Sequence, residues 1–136
     1  MQPNFSIDEL LTPLALAVII DNKVRDPELS EFVVQAEGLL DLLGLNMAPQ
    51  DILAWFRDNE PKLISRMNRT GKNTFVLVAL TRFKDNDAIV EAMYDAMLAI
   101  SISDQEYHET ESELMKSAAS LWGYQRPPFK IVRDKA

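Results

Sequence analysis

The stretch "TFVLVAL", Thr74–Leu80, decides the fold. Its β-branched residues and unbroken apolar run suit a buried strand. The segments on either side carry helical punctuation, however, and a lone strand leaves its backbone donors and acceptors unpaired. The stretch therefore reads as a buried central helix from Asn73 to about Phe83, and the chain as all-α.

Toward the N-terminus, "NRTGKN" (Asn68–Asn73) reads as a loop. Pro61 opens a helix through Leu63, Ile64 and Met67, and Pro49 opens a short one with Ile52, Trp55 and Phe56 on one side. Asp26-Pro27 pairs an N-cap with a first-turn proline. Leu29, Phe32, Val33, Ala36, Leu39, Leu40 and Leu43 follow it at helical spacing. Gly44 fits the left-handed position that closes many helices. "SIDE", Ser6–Glu9, matches a capping box. Thr12-Pro13 is a second start signal, and an interior proline costs ~3 kcal/mol. A short turn followed by a main helix from Pro13 to about Ile20 is the expectation.

Toward the C-terminus, Asp85 or Asp87 caps a helix carrying Ile89, Met93, Met97 and Ile100. "TESE", Thr110–Glu113, matches another capping box and opens a last helix through Leu114, Ala118, Leu121 and Trp122, closed by Gly123. "RPPFKIV" forces an extended tail over 125–136, with Phe129 or Ile131 packing back or projecting to a partner. The sum is a single-domain helical bundle of about seven helices. The two Trp, Phe56 and the Met residues fall at helical spacings that suit a core.

At 136 residues the chain has the size of one domain. It has no Cys, which excludes a disulfide framework and Cys-ligated zinc or iron–sulfur sites. "MQPNFSIDEL" lacks a basic segment leading into an apolar one, and no apolar run approaches the ~20 residues of a transmembrane segment. A cytoplasmic, soluble protein is expected. The net charge of -7 disfavours nucleic acid as a partner. Yet Pro61–Lys84 carries Lys62, Arg66, Arg69, Lys72, Arg82 and Lys84 with no acidic residue. Either these cations meet the acidic ends of the same chain, or they form a patch for an anionic partner.

An acidic corner occurs twice. "IIDNKVRDPELSEF" (Ile19–Phe32) and "ISDQEYHETESELM" (Ile102–Met115) each run from an apolar segment through Asp and a polar loop to Glu at the start of a helical pattern. A shift of 83 positions carries Asp21 onto Asp104 and Glu28 onto Glu111. This outlines a degenerate internal duplication over about 13–45 and 96–124. In this the chain resembles the TerB-like family, named for a tellurite-resistance protein and shared with the N-terminal region of a DnaJ-type co-chaperone. The resemblance spans roughly Thr12 to Tyr124. It departs from the family's Asp-Gly at both corners, where Asn22 and Gln105 follow the Asp, and Lys23 places a cation in the first. The resemblance implies an all-helical, non-enzymatic module with an acidic metal site. It further implies a role in a stress-response or membrane-associated protein complex.

Asp21 and Asp104 stand at the C-terminal ends of apolar helices, where the macrodipole disfavours a carboxylate by roughly 0.3–1 kcal/mol. Two explanations offset that cost. Each Asp bonds its own backbone and caps the next helix, or Asp21, Glu28, Asp104 and Glu111 converge on a hard cation such as Ca²⁺ or Mg²⁺. The second loop is not an EF-hand, because Met115 stands where the bidentate Glu belongs. His108, the single His, reads as a solvated loop residue. With no Cys and one His, nucleophile–base–orienter schemes have little material. Four Gly make no phosphate loop. Three functional expectations result, in this order: a cation-binding interaction module, a metal-free adaptor or homodimer using 61–84 and the C-terminal tail, and a carboxylate–metal hydrolase.

Overall fold

The computed structural model describes residues 5–20, 24–103 and 109–123, with the backbone alone at Thr110 and Glu111. These residues form six α-helices and no strand: α1 (Ile7–Ile19), α2 (Asp26–Leu42), α3 (Pro49–Thr70), α4 (Lys72–Thr81), α5 (Asp87–Ser101) and α6 (Glu109–Trp122). Thr74–Leu80 is helical, inside α4.

The central helix is α1, not α4. From Leu10 to Ile20 every residue of the first apolar run except Thr12 is buried. A helix apolar on all sides belongs inside a bundle, and α1 packs against α2, α3, α4 and α5. Around it, α5 also packs on α2 and α6, while α4 packs on α3 and α6. In α4 itself, Phe75, Val76 and Leu80 are buried, but Leu77 and Val78 face outward at 44% and 64% exposure. The stretch thus belongs to the rim of the bundle.

Two prolines expected to open helices lie inside them. At Pro13 in α1, burial decides: Leu10, Leu11, Leu14 and Pro13 itself are buried. At roughly 1.5–3 kcal/mol per buried leucine, two or three of them outweigh the ~3 kcal/mol an interior proline costs. Thr12 Oγ1 donates to the Asp8 carbonyl at 2.6 Å beside the break. Pro61 is crossed in the same way within α3. Ile52, Phe56, Leu63 and Met67 keep one buried face along the 22-residue helix, and Asn59 Nδ2 donates to the Trp55 carbonyl at 2.8 Å. The expected loop over Asn68–Asn73 shrinks to Gly71, which ends α3 and starts α4 at φ 100° and ψ 133°.

The caps divide in the same manner. Ser6 Oγ accepts from the Glu9 amide at 3.0 Å, and the Ser6 amide donates to Glu9 Oε1 at 2.9 Å, a complete capping box. Gly44, at φ 75°, closes α2 in a Schellman motif. The Leu45 amide donates to the Leu40 carbonyl at 2.8 Å and the Gly44 amide to the Asp41 carbonyl at 3.0 Å. Elsewhere the expected cap is not the one used. Asn86, rather than Asp85 or Asp87, caps α5, accepting from the Ile89 amide at 3.1 Å. Asp26 is the first residue of α2, and Arg25 before it makes no side-chain cap hydrogen bond. Glu109 opens α6, so Thr110 lies inside that helix and is not its cap.

The first turn of α1 fastens the outer helices to the centre. Asp8 Oδ1 accepts from Trp55 Nε1 of α3 at 2.7 Å, and Glu9 Oε2 accepts from Arg82 Nε, just past α4, at 2.8 Å. Arg82 also lies over the Phe5 ring at 4.5 Å, and Phe5 packs on Phe83 at 4.8 Å. Trp122 Nε1 donates to the Leu80 carbonyl at 2.8 Å, tying the end of α6 to α4.

Candidate functional sites at the acidic corners and the basic face

The four carboxylates singled out in the sequence have different standing. Asp21 and Asp104, together with His108 and the tail from Tyr124 onward, lie outside the described residues. Glu111 is in the first turn of α6, with its backbone alone described. Glu28 is in the first turn of α2, where negative charge is favoured by the helix N-terminus. Its side chain is 0% exposed, and Arg25 Nη1 lies 3.5 Å from Oε1. A carboxylate withdrawn from water costs several kcal/mol unless neighbours compensate. Arg25 and the helix end supply part of that compensation.

Burial of a charge here has no signature in the sequence, where Glu28 looks like any first-turn acid. It has company, however. The buried polar side chains among the described residues are Glu28, Ser101 and Ser112, and all three lie at helix ends flanking the two corners. Ser101 Oγ, at the end of α5, has no hydrogen-bond partner among the described residues. No group of three or more His, Cys, Asp or Glu able to hold a metal occurs among the described residues.

The second candidate is the basic segment. Lys62, Arg66, Arg69, Lys72, Arg82 and Lys84 are all exposed, on the second half of α3, on α4 and just beyond it. Arg82 pairs with Glu9 at 2.8 Å, which is the internal neutralisation expected of the acidic ends. Arg66 lies over the Phe75 ring at 5.3 Å. Lys62, Arg69, Lys72 and Lys84 carry no ion pair among the described residues. Between these cations the outward side of α4 forms an apolar ridge of Leu77 and Val78. A groove of about 550 Å³ runs on one flank, between α4 and α6, with Lys72, Leu77, Glu113 and Lys116 on its walls. Another of about 300 Å³ runs on the other flank, lined by Arg66, Val78 and Arg82 with Asp8 and Glu9. Such a surface offers long-range attraction to an anion and local apolar contact to a protein side chain.

No helix of the described residues is long and apolar enough to cross a membrane. Comparison of the chain with family models, with curated proteins and with solved structures finds no match.

Proposed function

We propose that the chain is a non-enzymatic, TerB-like interaction module that docks a protein partner on its α3–α4 face. The observation that carries this reading is the row of exposed cations beside an exposed apolar ridge, in a chain whose net charge is -7. A purely solvated basic face has no use for Leu77 and Val78. A phosphate backbone has no side chain to place on them, so the partner is an acidic protein surface. On the resemblance, the proposed setting is a stress-response or membrane-associated complex. The test uses a labelled synthetic amphipathic helix of Glu and Leu, followed by fluorescence anisotropy. Binding weakens with salt, and the double substitution Arg69→Glu with Lys72→Glu lowers affinity by roughly tenfold or more. Equal binding by wild type and variant removes the reading.

A second reading places a divalent cation, Ca²⁺ or Mg²⁺, at the corners through Asp21, Glu28, Asp104 and Glu111. The confinement of buried Glu28, Ser101 and Ser112 to the ends of those corners favours it. The duplication read from the sequence would favour it as well. The shift of 83 that relates the corners also carries Asp26, the first residue of α2, onto Glu109, the first of α6. Titration calorimetry decides it: heat on adding either ion, abolished by Asp21→Asn or Asp104→Asn, is the expected result. Silence at millimolar ion leaves the metal-free module.

A further inference from the structure

The outward face of α2 is the chemical counterpart of the α4 ridge. Val34 and Leu42 stand 59% and 65% exposed, two turns apart on one side of the helix. Glu31, Glu37 and Asp41 flank them, and α2 contains no Lys or Arg. Gly38 lies midway between the two apolar residues, on the same side and exposed. Glycine is the least favourable helix residue after proline, so its place in mid-helix wants a reason. The fold supplies none. A Cβ at Gly38 meets nothing within 4 Å, and unlike Gly44, Gly71 and Gly123 it does not adopt positive φ. The missing side chain instead leaves a notch between two apolar shoulders, with acids along the edges. On α4 the relief is reversed, because Leu77 and Val78 project. The segment 61–84 around them carries six cations and no acid, although Glu113 stands with Lys72 and Lys116 on the wall of one adjoining groove and Asp8 and Glu9 with Arg66 and Arg82 on that of the other.

We infer that the acidic notch of α2 receives the basic ridge of α4 from a second copy of this chain. The inference rests on the docking role assigned to α4 above and names its partner. Shape and charge both match: a small residue lets a helix approach closely, and opposite charges at the rim fix register and exclude like faces. Because the two surfaces differ, the contact is heterologous in kind. Each copy carries one notch and one ridge.

Full-length protein in sedimentation equilibrium tests this through two variants that leave the fold intact. Gly38→Gln fills the notch with a better helix former, and Val78→Gln removes apolar surface from the ridge at an exposed site. Circular dichroism checks that both remain folded. Wild type is expected to show mass rising with concentration, less so at high salt. Each variant alone associates roughly tenfold more weakly or worse. An equimolar mixture recovers a 1:1 complex, because Gly38→Gln still has its ridge and Val78→Gln still has its notch. A wild type that stays monomeric, a Gly38→Gln protein that associates like wild type, or a mixture that forms no complex each overturns the inference. If self-association fails while the synthetic acidic helix still binds the α4 face, the docking role stands and only the second copy is removed. If both fail, the docking role falls too.

Discussion

Gly71 and Pro61 show how much a single backbone position decides here. Gly71 joins α3 to α4 with no other linking residue, at φ 100° and ψ 133°. A side chain there has open space, since a Cβ on Gly71 would meet no atom within 4 Å. The whole effect of Gly71→Ala is therefore conformational, a loss of about 1–3 kcal/mol of stability. Urea denaturation is expected to show a lowered midpoint with an unchanged slope. Pro61 is the opposite case. It is exposed inside α3, so its removal forfeits no core contact. Alanine regains the helix hydrogen bond that proline denies, worth up to ~3 kcal/mol, against about 0.4–1 kcal/mol of added freedom in the unfolded chain. Pro61→Ala is expected to stabilise the protein by roughly 1–2 kcal/mol in the same measurement. A destabilised Pro61→Ala protein means that proline shapes α3 for packing.

Among the elements, the first turn of α1 does the most joining. Glu9 accepts from the Ser6 amide and from Arg82, and these contacts, the Ser6 amide first, hold its carboxyl below the ordinary value of 4.5. A depressed carboxylate pKa stabilises the fold fully above the unfolded value and ceases to do so as pH falls through the folded one. Below about pH 4.5, wild type is expected to lose stability more steeply than Glu9→Gln, with the two curves converging in stronger acid. Urea midpoints over a pH series read this, and the difference is modest because both Glu9 and Arg82 are partly exposed. The capping box that creates the site was legible in "SIDE", as the Schellman closure was in Gly44, because caps are local chemistry. The continuity of α1 across Pro13 and of α3 across Pro61 was not. It is settled by leucines and aromatics that meet only in the folded bundle. For the same reason the sequence suggests Glu28 as an acid at a helix start but carries no sign of its burial. Asn86 is a different kind of miss: it caps as well as Asp does and stands between two of them.

At the scale of the whole molecule, the position of α1 sets where stability resides. "PLALAVII" and "TFVLVAL" look alike as apolar runs, yet the first is enclosed by four helices and the second exposes Leu77 and Val78. Enclosure predicts cooperativity. Leu14, Leu16 and Ile19 touch the core from every side of one helix, so α1 separates from its neighbours only when the bundle as a whole opens. Hydrogen exchange is expected to find the α1 amides from Leu14 to Ile19 among the slowest, exchanging at the global unfolding free energy. The last turn of α4, on the rim, exchanges faster. Leu16→Ala is expected to cost about 2–5 kcal/mol, a large share of the roughly 5–15 kcal/mol that holds a domain of this kind folded. Val78→Ala stays within roughly 0.5 kcal/mol of wild type, because its side chain already meets water. If α1 exchanges ahead of α2 and α5, it is not the enclosed centre, and the α2 and α4 faces lose the rigid mount that separates notch from ridge. Slow exchange in α1 together with faster exchange in α4 means a fixed core beneath a looser outer helix, the arrangement that the proposed docking on α4 requires.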